Sequence, residues 1–169
     1  NGLWRVETKN LATNEREEFL SKVLINAGGP WVSDLLLNVL RVNSSEKVRL
    51  VRGSHIVVSK MWSHEKSYFF QGNDGRIIFA IPYETDFTLI GTTEIDHLDL
   101  NEKPKCTELE KNYLINFANQ YFDHELKVED IVWTYSGMRP LQDTSEDNAT
   151  SVTRDYSIKV NWEEGVPLI

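Results

Sequence analysis

The sequence predicts an α+β fold, a mostly antiparallel sheet with helices packed on it. Three observations carry this. Short runs rich in β-branched and aromatic residues follow one another with turn residues between them: "SYFFQ", "RIIFAIPYE" and "FTLIGTTE". The Asp74-Gly75 pair in "GNDG" joins the first two of these runs as a hairpin. A Thr107–Glu110 capping box opens an amphipathic helix.

In chain order, residues 2–8 alternate and read as a strand, with "NLATNE" as a polar turn. "FLSKVLINAGG" reads as a strand running into a glycine turn, and Pro30 suits the first position of a helix. That helix, over about 30–41, carries Trp31, Leu35, Leu36, Val39 and Leu40 at helical spacing. Residues 47–58 form a strand, followed by the hairpin and by "FTLIGTTE" at 87–94. Near-continuous apolar runs such as "RIIFAI" predict that both sheet faces are covered. In the helix after Thr107, Leu109, Tyr113, Phe117 and Tyr121 stack at i, i+4. "IVWTYSGMRP" and "SVTRDYSIKV" read as two further strands, with the acidic "LQDTSEDNAT" between them as an exposed loop. The strand-turn-helix unit at 20–41 differs from the rest, as though borrowed from an α/β domain.

At 169 residues the chain suits one domain with a real core and hardly two. The formal net charge of -8 argues against a nucleic-acid partner, which needs a basic stripe. A single cysteine, Cys106, excludes an internal disulfide and suggests a reducing compartment. No apolar stretch reaches the length of a membrane span, so any membrane contact is peripheral. The Asn148-Ala149-Thr150 sequon reads as chance. "NGLWRVETKN" at the start and "GVPLI" at the end both look like cuts through a longer sequence.

Chemistry concentrates at a few positions. His55, in "RLVRGSHIVVSK", is either a satisfied core histidine, the commoner case, or a general base poised near neutral pH. His64, His97 and His124 sit in polar stretches and are expected at the surface, and no histidine has a partner at metal-ligand spacing. "INAGGPW" brings small residues to a helix start, which suits either an anion or a close-packed turn. The G-x-G-x-x-G dinucleotide fingerprint is absent from these residues. Arg139 stands at a strand end before Pro140, which is expected to stop the ladder; its planar fork suits phosphate or carboxylate. Arg154 has the same character, with Asp155 beside it as a structural salt-bridge partner, and a solvated or paired charge is the commoner fate of either arginine. Cys106 shows no partner for nucleophilic work.

Read in order, "NAGGPW", "RGSHIVV", "RIIFAIPYETDFTLIGTTE", "DIVWTYSGMRPL" and "TRDYSI" resemble the FAD-dependent, quinone-linked glycerol-3-phosphate dehydrogenases. Gly28, Arg52 and Met138 depart from the family's usual residues without removing a functional side chain. The resemblance is to a middle slice of a family chain. It implies a glutathione-reductase-like flavoenzyme, laid out like D-amino-acid oxidase. Residues 1–41 would be a returning segment of the FAD domain and 42–169 the cap, or substrate-binding, domain.

The resemblance also assigns roles. His55 becomes the base that removes the C2 hydroxyl proton of glycerol 3-phosphate, Arg139 the grip on the substrate phosphate, and Arg154 a source of positive potential beside the flavin. Ala27, Gly28 and Gly29 would let FAD approach the backbone. Electrons would pass to a membrane quinone, with the parent protein cytoplasmic and attached peripherally to the inner face of the membrane. No metal and no nucleic acid enter. The chain by itself is expected to be inactive and not to retain FAD. Two other readings stand beside this one: a related flavoenzyme acting on another hydroxy or amino acid, and a non-catalytic anion-binding module.

Overall fold

The computed structural model describes residues 2–42, 48–143, 154–163 and 165–169. In chain order the elements are β1 (Trp4–Lys9), β2 (Arg16–Ser21), α1 (Val32–Asp34), β3 (Val48–Ser59), β4 (Tyr68–Gln71), β5 (Ile77–Tyr83), β6 (Phe87–Gly91), β7 (Ile95–Asp96), α2 (Glu108–Ala118), β8 (Ile131–Gln142), β9 (Asn161–Glu163) and β10 (Val166–Leu168). They fall into two units, Asn1–Ser44 with Arg154–Ile169, and Ser45–Thr153.

In the first unit β1 and β2 form an antiparallel hairpin with Trp4 opposite Ser21 and Lys9 opposite Arg16. Asn10 Oδ1 closes its turn by accepting from the N–H groups of Ala12 (2.9 Å) and Thr13 (3.2 Å), the usual asparagine device in a turn. The helix expected over 30–41 is three short pieces: a 3₁₀ turn at Gly29–Trp31, α1, and a π turn at Leu35–Val39. Trp31 N–H bonds Gly28 carbonyl at 3.1 Å and Leu40 N–H bonds Leu35 carbonyl at 2.9 Å, so the hydrogen-bond spacing widens along the segment.

The chain's last residues belong here as well. Leu24 bridges Leu168 in parallel, and Asn26 N–H reaches Ile169 carbonyl at 2.7 Å. Trp4 Nε1 donates to Pro167 carbonyl at 2.8 Å. These bonds, together with the β9–β10 hairpin, return residues 154–169 to the first unit, where a boundary near residue 41 had assigned everything that follows to the second. Residues 154–160 of the expected strand "SVTRDYSIKV" have no regular structure, while 151–153 and the sequon lie outside the described residues.

The second unit is built around β3. β8 pairs antiparallel along one of its edges from Val48↔Gln142 to Val58↔Ile131, while β6 and β7 share the other. β5 and β4 continue outward from β6, giving the antiparallel sheet that the turn signals predicted. Pro140 does not stop the ladder: β8 continues through Leu141 and Gln142, opposite Arg49 and Val48. Among the described residues β8 pairs with β3 alone, and an edge strand tolerates a residue without N–H. Leu141 is therefore buried rather than part of a loop.

α2 covers one sheet face, packing Leu114, Ile115, Phe117 and Ala118 against Ile56, Val58, Ile78, Ala80 and Ile90. Its buried stripe is 110/114/115/117/118, not 109/113/117/121; Leu109 is 83 % exposed. On β5 the opposite face is not covered as "RIIFAI" suggested: Ile78 and Ala80 are buried while Ile77 and Phe79 are exposed, the alternation of a strand packed on one side. On β3 that face is covered, with Val51 and Val57 buried and Val51 clustered with Leu141. Among the described residues no helix is long and apolar enough to cross a membrane.

Candidate active site

Successive residues of a strand point to opposite faces, so β3 is divided in its function. Arg52, Ser54, Ile56 and Val58 turn toward α2. Val51, Gly53, His55 and Val57 turn to the other face. Directly across from these lie Arg139 (opposite Val51), Gly137 (opposite Gly53) and Tyr135 (opposite His55) on β8, and Gly91 (opposite His55) on β6. The register thus brings His55 and Arg139 onto one face.

Glycines make this face possible. A Cβ built on Gly91 would overlap the imidazole of His55, and one on Gly53 would stand 2.7 Å from both Arg139 Nη1 and Thr92 Oγ1. The His55 ring thus lies over one bare backbone and the Arg139 guanidinium over another. Tyr135 stacks on His55 with centroids 4.7 Å apart and planes 8° from parallel. Arg139 Nη2 donates to Thr92 Oγ1 at 3.1 Å, and that hydroxyl donates to Thr93 carbonyl at 3.1 Å.

Two buried atoms on this face, His55 Nδ1 and Arg139 Nη1, have no hydrogen-bond partner among the described residues. Burial, and then the Arg139 cation, lower the His55 pKa to about 4. The imidazole is accordingly neutral at physiological pH, able to accept a proton, beside a guanidinium with a free donor. Burial and Tyr83 push the Tyr135 phenol upward, so it stays neutral too.

The remaining candidates lie in the first unit. Ala27 and Gly28 line an open cleft of ≈ 340 Å³ with Leu24, Ile25, Asn26, Leu35 and Leu40. Asn26 organises the turn, accepting from Gly28 N–H at 3.2 Å and donating to Val32 carbonyl at 3.0 Å. Gly29 adopts φ +55 with open space where a Cβ would stand, a conformation natural to glycine. Arg154 is exposed in the irregular stretch before β9.

His97 is not a surface residue: it is 5 % exposed, with Nε2 at 2.9 Å from Glu102 carbonyl and its N–H bonded to Leu50 carbonyl. His64 is exposed beside Tyr68. Burial, and then the Glu110 carboxylate, raise the Cys106 thiol pKa, which works against a nucleophile there. Among the described residues no cluster of His, Cys, Asp and Glu could hold a metal ion. Sequence reasoning marks Gly53 only as a break in the strand before His55 and misses Thr92, Tyr135 and Gly91, although lone glycines inside strands do signal close approach of a neighbour.

The antiparallel sheet thus presents a histidine and an arginine together on one face, and comparison with known proteins gives the family. The chain belongs to the FAD dependent oxidoreductase family, whose model matches residues 1–159. It is 44% identical over 169 residues to D-erythritol 1-phosphate dehydrogenase of Brucella abortus, covering 100% of this chain and 34% of that one. It is 39% identical to aerobic glycerol-3-phosphate dehydrogenase of Escherichia coli, again covering 100% of this chain and 34% of that one. The chain therefore spans about a third of the length of these curated relatives. The solved glycerol-3-phosphate dehydrogenase of Bacillus halodurans, complexed with FAD, superposes with a TM-score of 0.75 at 26% identity, over 97% of this chain and 30% of that one.

Proposed function

We propose that the protein carrying this chain oxidises the C2 hydroxyl of sn-glycerol 3-phosphate to the ketone of dihydroxyacetone phosphate. The single observation behind this reading is the pair of buried, unpartnered atoms His55 Nδ1 and Arg139 Nη1 on one sheet face. Bound FAD supplies the hydride acceptor in this chemistry. His55, kept neutral by burial and by Arg139, takes the hydroxyl proton as C2 loses its hydride. Arg139 holds the phosphate through Nη1 while Nη2 stays on Thr92, which fixes the distance between grip and base. Gly53 and Gly91 leave room for both side chains.

Arg154, in the first unit, keeps the role the family resemblance implies, positive potential beside the flavin. The cleft at Ala27 and Gly28, with the open glycine at Gly29, suits close approach of the cofactor to the backbone. On this reading the first unit is a segment of the FAD domain, the second is the cap, and the parent is cytoplasmic, attached peripherally to the inner face of the membrane, and passes electrons to a quinone.

A second reading, oxidation of D-erythritol 1-phosphate, is favoured by the 44% identity to the Brucella abortus enzyme. Both substrates place a hydroxyl within reach of a phosphate. Anaerobic mixing of the flavin-loaded protein with each substrate, followed by flavin bleaching, separates them. Faster reduction by glycerol 3-phosphate is expected. Faster reduction by D-erythritol 1-phosphate moves the assignment to the second reading, and faster reduction by a 2-hydroxy or 2-amino acid overturns the phosphate ester.

A further inference from the structure

We propose that Glu110, on the far side of the sheet from the site, is the positioning residue that fixes His55 and Arg139 relative to one another. The inference rests on the reading of His55 as the base. Glu110 is 2 % exposed. Its Oε1 accepts from Ser54 Oγ and from Thr93 Oγ1, each at 2.7 Å. Its Oε2 accepts from Thr107 N–H at 2.9 Å, Thr107 Oγ1 at 2.7 Å and Arg52 Nη2 at 3.0 Å. Ser54 Oγ lies 2.7 Å from Ser136 Oγ, and Ser54 N–H donates to Thr93 Oγ1 at 2.9 Å.

One carboxylate thus ties α2 to β3 and to the segment after β6, and through Ser54 to β8. Every tie to the sheet is chain-adjacent to a residue of the opposite face. Ser54 lies between Gly53 and His55, Thr93 follows Thr92, and Ser136 lies between Tyr135 and Gly137. A strand transmits such placement rigidly because alternate side chains share one backbone. Helix capping accounts only for the bonds to Thr107.

Fold stability does not account for the others. A buried ion pair is often no better than an apolar pair of similar volume, and the remaining stripe of α2 is apolar. Burial works to raise the Glu110 pKa, yet the bonds from Thr107, Ser54 and Thr93 hold it below the ordinary range. The group is therefore an ionised hub with its acceptors filled.

A double-mutant cycle in the full-length, flavin-loaded enzyme tests this, with kcat per bound flavin measured for Glu110→Ala, His55→Ala and the pair. Displacement of a reacting group by even 1 Å can cost about a hundredfold. Glu110→Ala is accordingly expected to lower kcat at least about tenfold in the wild-type background and less than about twofold where His55 is already Ala. Thr93→Val, which removes one hydroxyl and preserves shape, should show the same dependence on His55 with a smaller loss, and it serves if Glu110→Ala does not fold. Equal losses in both backgrounds, or no loss at normal flavin content, overturn the inference while leaving the base intact. An unchanged kcat in His55→Ala overturns the base assignment and this inference with it.

Discussion

His55 and Gly91 face each other across β3 and β6, and the imidazole occupies the space that a side chain on Gly91 would need. A Cβ there would stand 2.6 Å from the ring's Cγ and 2.8 Å from its Nε2. Those neighbours are ring atoms stacked against Tyr135, so they do not move aside freely. Gly91→Ala should cost about 1–3 kcal/mol of stability by overpacking. It should also lower kcat by roughly ten- to a hundredfold as the ring is displaced. Thermal melts and turnover per flavin check both, and an unchanged kcat would mean that the ring position is unimportant.

The stack itself makes a separate prediction. Tyr135→Phe keeps the parallel ring and should leave turnover within about twofold of wild type. Tyr135→Ala removes a contact worth about 0.5–1.5 kcal/mol and should lower kcat several-fold. A larger loss in the Phe variant would show that the hydroxyl, not the ring, matters.

How far this site was legible in the sequence depends on how local each signal was. His55 stood out because Gly53, Ser54 and an imidazole interrupt an apolar strand. Arg139 was visible as a cation in an aromatic strand. Glu110 was read only as a helix cap, since a capping box requires residues three apart and nothing about it reveals a partner 56 residues away such as Ser54. The inward turn of Glu110 also rotates the buried stripe of α2, which is why Leu109 is exposed. The antiparallel sheet followed from Asp74-Gly75 and from the spacing of its runs. The return of residues 154–169 to the first unit rests on a parallel bridge between Leu24 and Leu168, a pairing that leaves no local sequence signal. His97 looked solvated because its neighbours are polar, yet it is enclosed through bonds to Leu50 and Glu102.

Arg139 should decide the anionic group of the substrate. A charge-assisted hydrogen bond contributes about 1.5–3 kcal/mol, so Arg139→Ala should lower kcat/KM for glycerol 3-phosphate at least about tenfold. Arg139→Lys should recover only part, because a single ammonium nitrogen lacks the planar fork that holds Nη2 on Thr92 while Nη1 is aimed at phosphate. Residual turnover of unphosphorylated glycerol is the control and should barely respond. Equal losses with both substrates would place the phosphate elsewhere.

The charge of Arg139 should also be readable in the pH dependence of His55. Burial, followed by this cation, takes His55 from the ordinary 6.5 to about 4. A base must be neutral to accept a proton, so kcat/KM, which reports the free enzyme, should decline on the acid side as His55 becomes protonated. Arg139→Gln removes the cation but not the burial. The acid limb should therefore move upward, to a midpoint above about 4 and below 6.5. Ionisation of the substrate phosphate is common to both proteins and cancels in the comparison.

Stability follows the same sign. The unfolded chain binds more protons than the folded one between about 4 and 6.5, so the stabilising contribution of neutral His55 is lost as pH falls through that window. Raising the folded pKa narrows the window from below, and Arg139→Gln should lose less stability between pH 6.5 and 4 than wild type does. Denaturant melts at a series of pH values measure this without any substrate. An acid limb that stays in place or moves downward would mean that His55 does not feel the guanidinium, and the two side chains would then have to act in separate parts of the site.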